Sequence, residues 1–478
     1  MFYSFNLFFI CAFTTLLYIF YQTNKQFTLF NWYNSLSIIF LLNLIYLLFS
    51  TYLNYNDSIF IVYFFNSFYY SIGIDKFSFL FLILLSFLFS ICFIYNIKNI
   101  IIKSKIWLFS LISIFIALLF TFISQDLLTF FIGFEFVLIP LFWIVIEFGS
   151  RSNKIFAAFF IVILTLFGSC FFLIGFFSIF LEISSLNFNF LSFSLSYLSE
   201  SRQSFIWIFL FLGLMVKVPL IPLHLWLPEA HGEAPTVGSV LLAGVVLKLG
   251  TYGLIRCLVF LFSNVEVFIG SILFAYGFLN MVFAALISIR QLDIKKAIAY
   301  GSIAHIGTVV IGLSEVFNFS EFGSVIIIIF HGLVSPLLFF LVGSLYDRFG
   351  TRNIYYFGSL ALISPLFSVN WFLAVLGNVA FPGTGSFVGE ITIFISLLFM
   401  NPFCGILLVF ATFANLAWNF LLITRVVFLH YQINYLTFFY DISLKEFVIF
   451  LLLNILSIFS GLFAFELSSF LEYGFYYI

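Results

Sequence analysis

Apolar runs about 20 residues long follow one another through almost the whole sequence, and few folds are open to a chain built that way. About 20 apolar residues in a helix cross the hydrocarbon core of a bilayer. Fourteen such windows can be drawn, at 1–20, 35–53, 77–97, 107–124, 127–147, 155–181, 205–227, 235–260, 268–289, 296–313, 322–345, 358–400 (interrupted), 404–428 and 446–465. Hydrophobic residues make up 64% of the chain and charged ones 8%, against about 45–50% and 25% in soluble domains. The runs are too long for a β-barrel and do not alternate. The longest polar connection, near 182–204, leaves no room for a soluble domain. The sequence reads as all-α: a polytopic membrane protein of about fourteen transmembrane helices.

Other features narrow the class further. The first twenty residues lack the basic start and small-residue cleavage site of a signal peptide and read as the first span. The net charge of −1 says nothing about nucleic acid, and with no basic tail or arm to bind it none is expected as a partner. Cys11, Cys92, Cys170, Cys257 and Cys404 are scattered with no C-x-x-C pair, so neither a disulfide framework nor an iron–sulfur site is expected. The 79 phenylalanines, with abundant Ile, Leu, Tyr and Asn, have AT-rich codons and suggest an AT-rich genome such as an organelle's.

Cations orient the spans. Of the 18 Lys and Arg residues, thirteen fall in loops after odd spans, Lys295 and Arg352 among them. Three fall after even spans: Lys76, Arg202 and Arg256. The bias places the loops after odd spans on the matrix or cytoplasmic side and both termini on the opposite side. The remaining two, Lys217 and Lys248, lie inside apolar runs.

Two spans are interrupted. Pro219 and Pro222 break the seventh, and FPGTGSF breaks the twelfth. Proline removes a backbone donor, and unpaired backbone at membrane depth is tolerated only inside protein or beside water. The breaks lie five spans apart. An odd spacing inverts a repeat relative to its copy, so spans 4–8 and 9–13 are expected to be inverted repeats. The expected units are residues 1–106, 107–260 (first repeat), 268–428 (second repeat) and 429–478.

Few ionisable residues remain within the spans, and each is a candidate. Glu135 lies in the fifth, Lys217 just before the break in the seventh, Lys248 in the eighth, His305 in the tenth and His331 in the eleventh. Glu390 follows the break in the twelfth, and Glu466 near the end of the fourteenth reads as an interfacial residue. Buried titratable groups of both signs suit a proton path, since an isolated charge in hydrocarbon costs several kcal/mol and must be neutral or paired at rest. Lys217 closes a half-helix, where the dipole favours a cation; Glu390 is expected to open one, where it favours an anion. Burial favours a neutral lysine and a nearby carboxylate such as Glu135 a charged one, so moving the carboxylate would load or unload the proton. The plainer alternatives are a structural Glu135–Lys217 ion pair and interhelical hydrogen bonds from the two histidines. Glu229, His231 and Glu233 resemble a metal set on paper, but PEAHGEAPT reads instead as a helix-capping turn at the membrane edge. GTGSFVGE lacks the strand and lysine of a phosphate loop.

KVPLIPLHLWLPEAHGEAPTVGSVLLAGVVLKLGTYGLIR (217–256), QLDIKKAIAYGSIAHIG (291–307), HGLVSPLLFFLVGSLYDR (331–348) and FPGTGSFVGE (381–390) together resemble the proton-pumping, antiporter-like membrane subunits of respiratory complex I, over roughly residues 107–428. The resemblance implies fourteen helices with two inverted five-helix repeats and broken helices seven and twelve. It also implies roles: Glu135 with Lys217 as the interacting pair of the first half-channel, Lys248 as the bridging lysine, His305 and His331 along a hydrated axis, and Glu390 as the terminal proton carrier. NADH, FMN, iron–sulfur clusters and ubiquinone would be handled by other subunits, with no cofactor or metal held here. The implied partners are other complex I membrane-arm subunits, including neighbouring antiporter-like ones, and the lipid bilayer. With the Phe-rich composition, the implied location is the mitochondrial inner membrane, both termini facing the intermembrane space. A cation/proton antiporter subunit without a redox partner is the second reading.

Overall fold

A computed structural model describes residues 62–64, 70–95, 104–262, 266–315, 318–429 and 440–462. The expected first and second spans, both termini, Lys25, Lys98, Lys103 and Glu466 lie outside the described residues. One feature departs from the all-α expectation. Strands β1 (Val62–Phe64) and β2 (Tyr70–Ile72) pair antiparallel, with Tyr63 opposite Ser71. Asp126 accepts hydrogen bonds from the Ser71 amide and hydroxyl, and Asn187 Nδ2 donates to Ser71 Oγ at 2.8 Å. These polar partners tie β2 down outside any spanning run.

The helices follow the expected order closely. The third to sixth spans are α1 (Lys76–Tyr95), α2 (Ser104–Phe122), α3 with α4 (Leu127–Phe136, Leu138–Phe148) and α5 (Lys154–Ile183). The fifth turns at Val137, three residues ahead of Pro140, whose missing N–H weakens the helix there. The connection near 182–204 holds a short helix, α6 (Phe188–Ser194). The seventh span is two pieces, α7 (Glu200–Lys217) and α8 (Trp226–Glu233). The PEAHGEAPT segment is thus largely the buried second half of that broken helix, which corrects its reading as a capping turn at the membrane edge. The eighth is α9 (Thr236–Leu241), a π turn Leu242–Val246, α10 (Leu247–Leu254) and a second π turn Ile255–Val259.

In the second half, α11 (Glu266–Arg290), α12 (Ile294–Gly312) and α13 (Asn318–Phe349) are continuous. A short α14 (Leu360–Ile363) precedes the broken span, α15 (Pro365–Asn378) and α16 (Gly385–Met400). Then come α17 (Pro402–Ile423), continued by a π turn Thr424–Phe428, and α18 (Leu444–Leu462). Nine helices are long and apolar enough to cross a membrane, among the described residues.

Burial tells centre from rim. The most apolar stretch of Thr236–Val259 is wholly buried and that of Phe319–Phe349 is 94% buried, against 39% for Lys154–Ile183. Phe156, Phe177, Phe410 and Phe413 stand exposed on the rim helices, as expected of side chains that face lipid. The eighth and eleventh spans are therefore the axis of the bundle, and they carry Lys248 and His331.

Candidate functional site

The break in the seventh span needs partners for its opened backbone, and the second half of the chain supplies them. Asn280 of α11, fully buried, accepts from the Ile221 amide at 2.7 Å and donates to the Pro219 carbonyl at 3.2 Å. Trp226 Nε1 donates to the Val216 carbonyl at 2.8 Å. The Ile221–Pro222 peptide is cis. Gly250 of α10 lies against the break, because a Cβ there would stand 3.0 Å from the Lys217 carbonyl carbon.

Lys217 occupies the last turn of α7, at the negative end of that half-helix. Its Nζ donates to the Phe134 carbonyl at 3.1 Å, lies 3.5 Å from Glu135 Oε1 and sits 4.2 Å from the centre of the Phe134 ring. Three weakly negative surroundings thus compensate one buried cation. Lys217 is 6% exposed and the Glu135 side chain 20%, yet both carboxylate oxygens of Glu135 are buried. Neither oxygen of Glu135 accepts a hydrogen bond.

Lys248 and His331 meet because their helices cross at small residues. A Cβ on Gly244 would fall 2.5 Å from Leu88 Cδ1 and 2.9 Å from Pro336 Cγ; one on Gly332 would fall 2.8 Å from Leu84 Cδ2. Bare backbone at both positions lets the eighth and eleventh spans close up, as small residues do at membrane helix crossings. Lys248 Nζ then reaches His331 Nδ1 at 2.9 Å and also donates to the Ala243 carbonyl in the preceding π turn. A π turn breaks the regular ladder and is frequent at functional positions. The His331 and His305 rings lie 5.3 Å apart, centre to centre. A cavity of about 10 Å³ beside them is lined by Lys248, Thr251, His305 and His331 together with the apolar side chains of Leu247, Ile306, Val309, Ile327 and Ile328.

The line continues through neutral amides that charge counting does not reveal. Asn415 Nδ2 faces His305 Nε2 at 3.3 Å, and Asn415 Oδ1 accepts from Trp418 Nε1 at 2.6 Å. Asn419 Nδ2 donates to the Asn415 carbonyl at 3.0 Å, and Asn378 Nδ2 to Asn419 Oδ1 at 2.8 Å. Asn378 is the last residue of α15, so the network ends at the second break. Asparagines in the twelfth and thirteenth spans are the only sequence trace of this network.

The six sequence-derived residues therefore fall into three places. Glu135 pairs with Lys217; Lys248, His331 and His305 form a line; Glu390 stands apart, with no hydrogen bond or ion pair to another described residue. Glu390 also departs from its expected setting. The half-helix begins at Gly385, so Glu390 lies in its second turn, and the first turn holds no acid. The dipole effect has faded by then.

Three cations assigned to loops are buried instead. Arg256 belongs to the second π turn, is 2% exposed and pairs with Asp75, whose carboxylate also accepts from Gln125 at 3.1 Å. Arg256 Nε donates to Tyr252 Oη at 3.2 Å. Lys295, 0% exposed, donates to the Ala234 carbonyl at 2.9 Å; Arg352, 2% exposed, reaches Ser150 Oγ at 2.7 Å. Helix ends that dip into the protein find partners there, so position near a loop does not imply solvent. Glu229 is likewise engaged, with Lys296 at 2.6 Å, and no cluster of metal-ligating side chains occurs among the described residues.

This architecture has known counterparts. A family model described as NADH:quinone oxidoreductase/Mrp antiporter, TM, matches residues 124–415. NADH-ubiquinone oxidoreductase chain 4 of Acanthamoeba castellanii is 39% identical over 396 residues, 83% of this chain and 79% of that protein. The chain 4 protein of Marchantia polymorpha is 39% identical over 383 residues, 80% of this chain and 76% of its own length. Among solved structures, a chain of respiratory complex I from Thermus thermophilus with bound NADH superposes with a TM-score of 0.81 at 23% identity, covering 92% of this chain and 93% of that one. A chain of the Mrp complex from Dietzia sp. gives 0.82 at 16% identity, covering 91% and 90%. The fold is shared more widely than the sequence. By sequence, the chain belongs to the NADH:quinone oxidoreductase/Mrp antiporter family of membrane subunits, in the group of NADH-ubiquinone oxidoreductase chain 4.

Proposed function

We propose that the chain is a membrane-arm subunit of NADH:ubiquinone oxidoreductase in the mitochondrial inner membrane, carrying protons across it while electron transfer from NADH to quinone runs in other subunits. The observation that carries this reading is the buried series of Lys217 with Glu135, then Lys248, His331 and His305, set between two broken helices. Lys217 lies within ion-pairing reach of Glu135 and Lys248 within hydrogen-bonding reach of His331, whose ring neighbours that of His305; the step from Lys217 to Lys248 belongs to the proposal. A charge at this depth is tolerated only where it is paired or functional.

In this reading Glu135 controls Lys217. With the carboxylate 3.5 Å away the lysine holds its proton; with the carboxylate withdrawn, the lysine passes it inward to Lys248. His331 and His305 carry it along the axis, and Glu390 takes it at the far end. Neighbouring antiporter-like subunits are the expected partners, as the likeness to chains of respiratory complex I and of the Mrp complex implies. Flavin, iron–sulfur clusters and quinone chemistry are assigned to partner subunits.

Fourteen spans and two inverted repeats of five belong to the same proposal. Support comes from packing that recurs at a five-span interval: α2 lies against α3 and α5 against both α7 and α8, as α11 lies against α12 and α13 against both α15 and α16. The cation bias then puts both termini toward the intermembrane space. The test is native-gel isolation of the assembly containing this chain, with in-gel NADH oxidation and inhibitor-sensitive quinone reduction. Migration in a very large NADH-oxidising particle upholds the reading. A smaller particle without that activity, but with sodium-dependent proton flux, would replace it with the antiporter reading.

A further inference from the structure

We propose that Trp418 and Asn415 act as a latch on His305, fixing which ring nitrogen is open and so controlling when that imidazole accepts a proton. The inference rests on the proton-path reading and adds two positioning residues to it.

An indole N–H only donates, so Trp418 forces the oxygen of the Asn415 amide toward itself. The amide NH₂ must then face His305 Nε2. A ring nitrogen that receives an N–H is an acceptor, so neutral His305 keeps its proton on Nδ1. The indole itself cannot move aside freely. It packs flat against the bare backbone of Gly301, one turn before His305, where a Cβ would overlap Trp418 Cζ2 at 2.1 Å.

A proton arriving from the Lys248–His331 side adds to the Nε2 lone pair and gives the imidazolium. That new N–H would oppose the amide N–H, so loading requires the amide to swing away, which requires breaking its bond to Trp418. Release of that same Nε2 proton onward restores the Nδ1–H imidazole and completes the transfer of one proton, and the Asn415 amide swings back to face Nε2. Lys248 and His331 are the titratable groups beside His305; its hydrogen-bond partner Asn415 is neutral.

The test uses the assembled complex in sealed vesicles, with NADH:quinone turnover and proton uptake measured against pH for Trp418→Phe, Asn415→Leu, the double variant and His305→Gln, each normalised to assembled complex on native gels. Removing a hydrogen bond that favours neutral His305 moves the profile to higher pH by about 0.5–1 unit. Trp418→Phe should produce this shift, Asn415→Leu should match it, and the double variant should add nothing. Loss of coupled turnover in His305→Gln with unshifted profiles in both latch variants overturns the latch and leaves the proton path standing. Wild-type pumping in His305→Gln overturns the path at this residue and the latch with it. Additive shifts in the double variant would also refute the proposal, because Trp418 would then act other than through Asn415.

Discussion

The Lys217–Glu135 pair yields the sharpest quantitative expectation. Replacing Glu135 with Gln keeps the side chain's shape and removes one charge 3.5 Å from Lys217 Nζ. At an effective dielectric of about 20, two unit charges at that separation attract by about 5 kcal/mol. Glu135 is a fifth exposed, so added screening leaves about half of that, 2–3 kcal/mol, or about two powers of ten in the fraction of Lys217 that is charged. What remains to hold the cation is the Phe134 carbonyl at 3.1 Å and the ring at 4.2 Å. In vesicles, coupled NADH:quinone turnover of Glu135→Gln should therefore fall at least tenfold with the complex still assembled. Lys217→Met should fall similarly, and the double variant should be no worse than the poorer single, because the two act as one unit. Turnover within twofold of the unmodified complex in Glu135→Gln would refute the switch. Failure of both single variants to assemble would return the pair to a structural ion pair.

Three further expectations concern the frame around the path. Asn280→Leu strands a buried amide and a buried carbonyl at the first break, at a cost of about 1–3 kcal/mol each; thermal release of the chain from the complex should occur at lower temperature. Gly244→Ala pushes a methyl into Leu88 and should cost about 1–3 kcal/mol while lowering turnover by spreading Lys248 from His331; Leu88→Ala in the same chain should restore part of it. Asp75→Leu leaves Arg256 buried without its partner and should cut assembly by about 3–5 kcal/mol in stability, whereas Asp75→Leu with Arg256→Met should recover much of the loss.

Much of this arrangement could be read from residues alone because it consists of exceptions. Lys217, Lys248, His305, His331 and Glu135 are costly in an apolar run, and prolines and glycines beside them mark broken helices. Among the described residues, the third to fourteenth expected spans agree with the helices to within several residues, the broken seventh and twelfth included. Neutral amides left no comparable mark. Asn280, Asn378, Asn415 and Asn419 are ordinary components of membrane spans, and only the fold shows which backbone or imidazole each one meets. Arg256, Lys295 and Arg352 were misplaced for a related reason, since sequence position near a helix end does not say whether that end reaches solvent. His231 was taken for part of a surface turn, yet it is fully buried with its ring stacked 4.5 Å from Phe339.

The clamp of Asn280 on the first helix break has a consequence for biogenesis. Its partners Ile221 and Pro219 precede it by 59 and 61 residues. During synthesis, the seventh and eighth spans therefore enter the bilayer with an amide and a carbonyl unanswered. They stay so until the ninth span is inserted and rotated into place. The chain up to the end of the eighth span is thus not a finished folding unit when that span is made. A ribosome stalled or truncated between residues 260 and 280 would leave the most polar backbone of the chain facing lipid, a feature that membrane quality-control machinery could recognise.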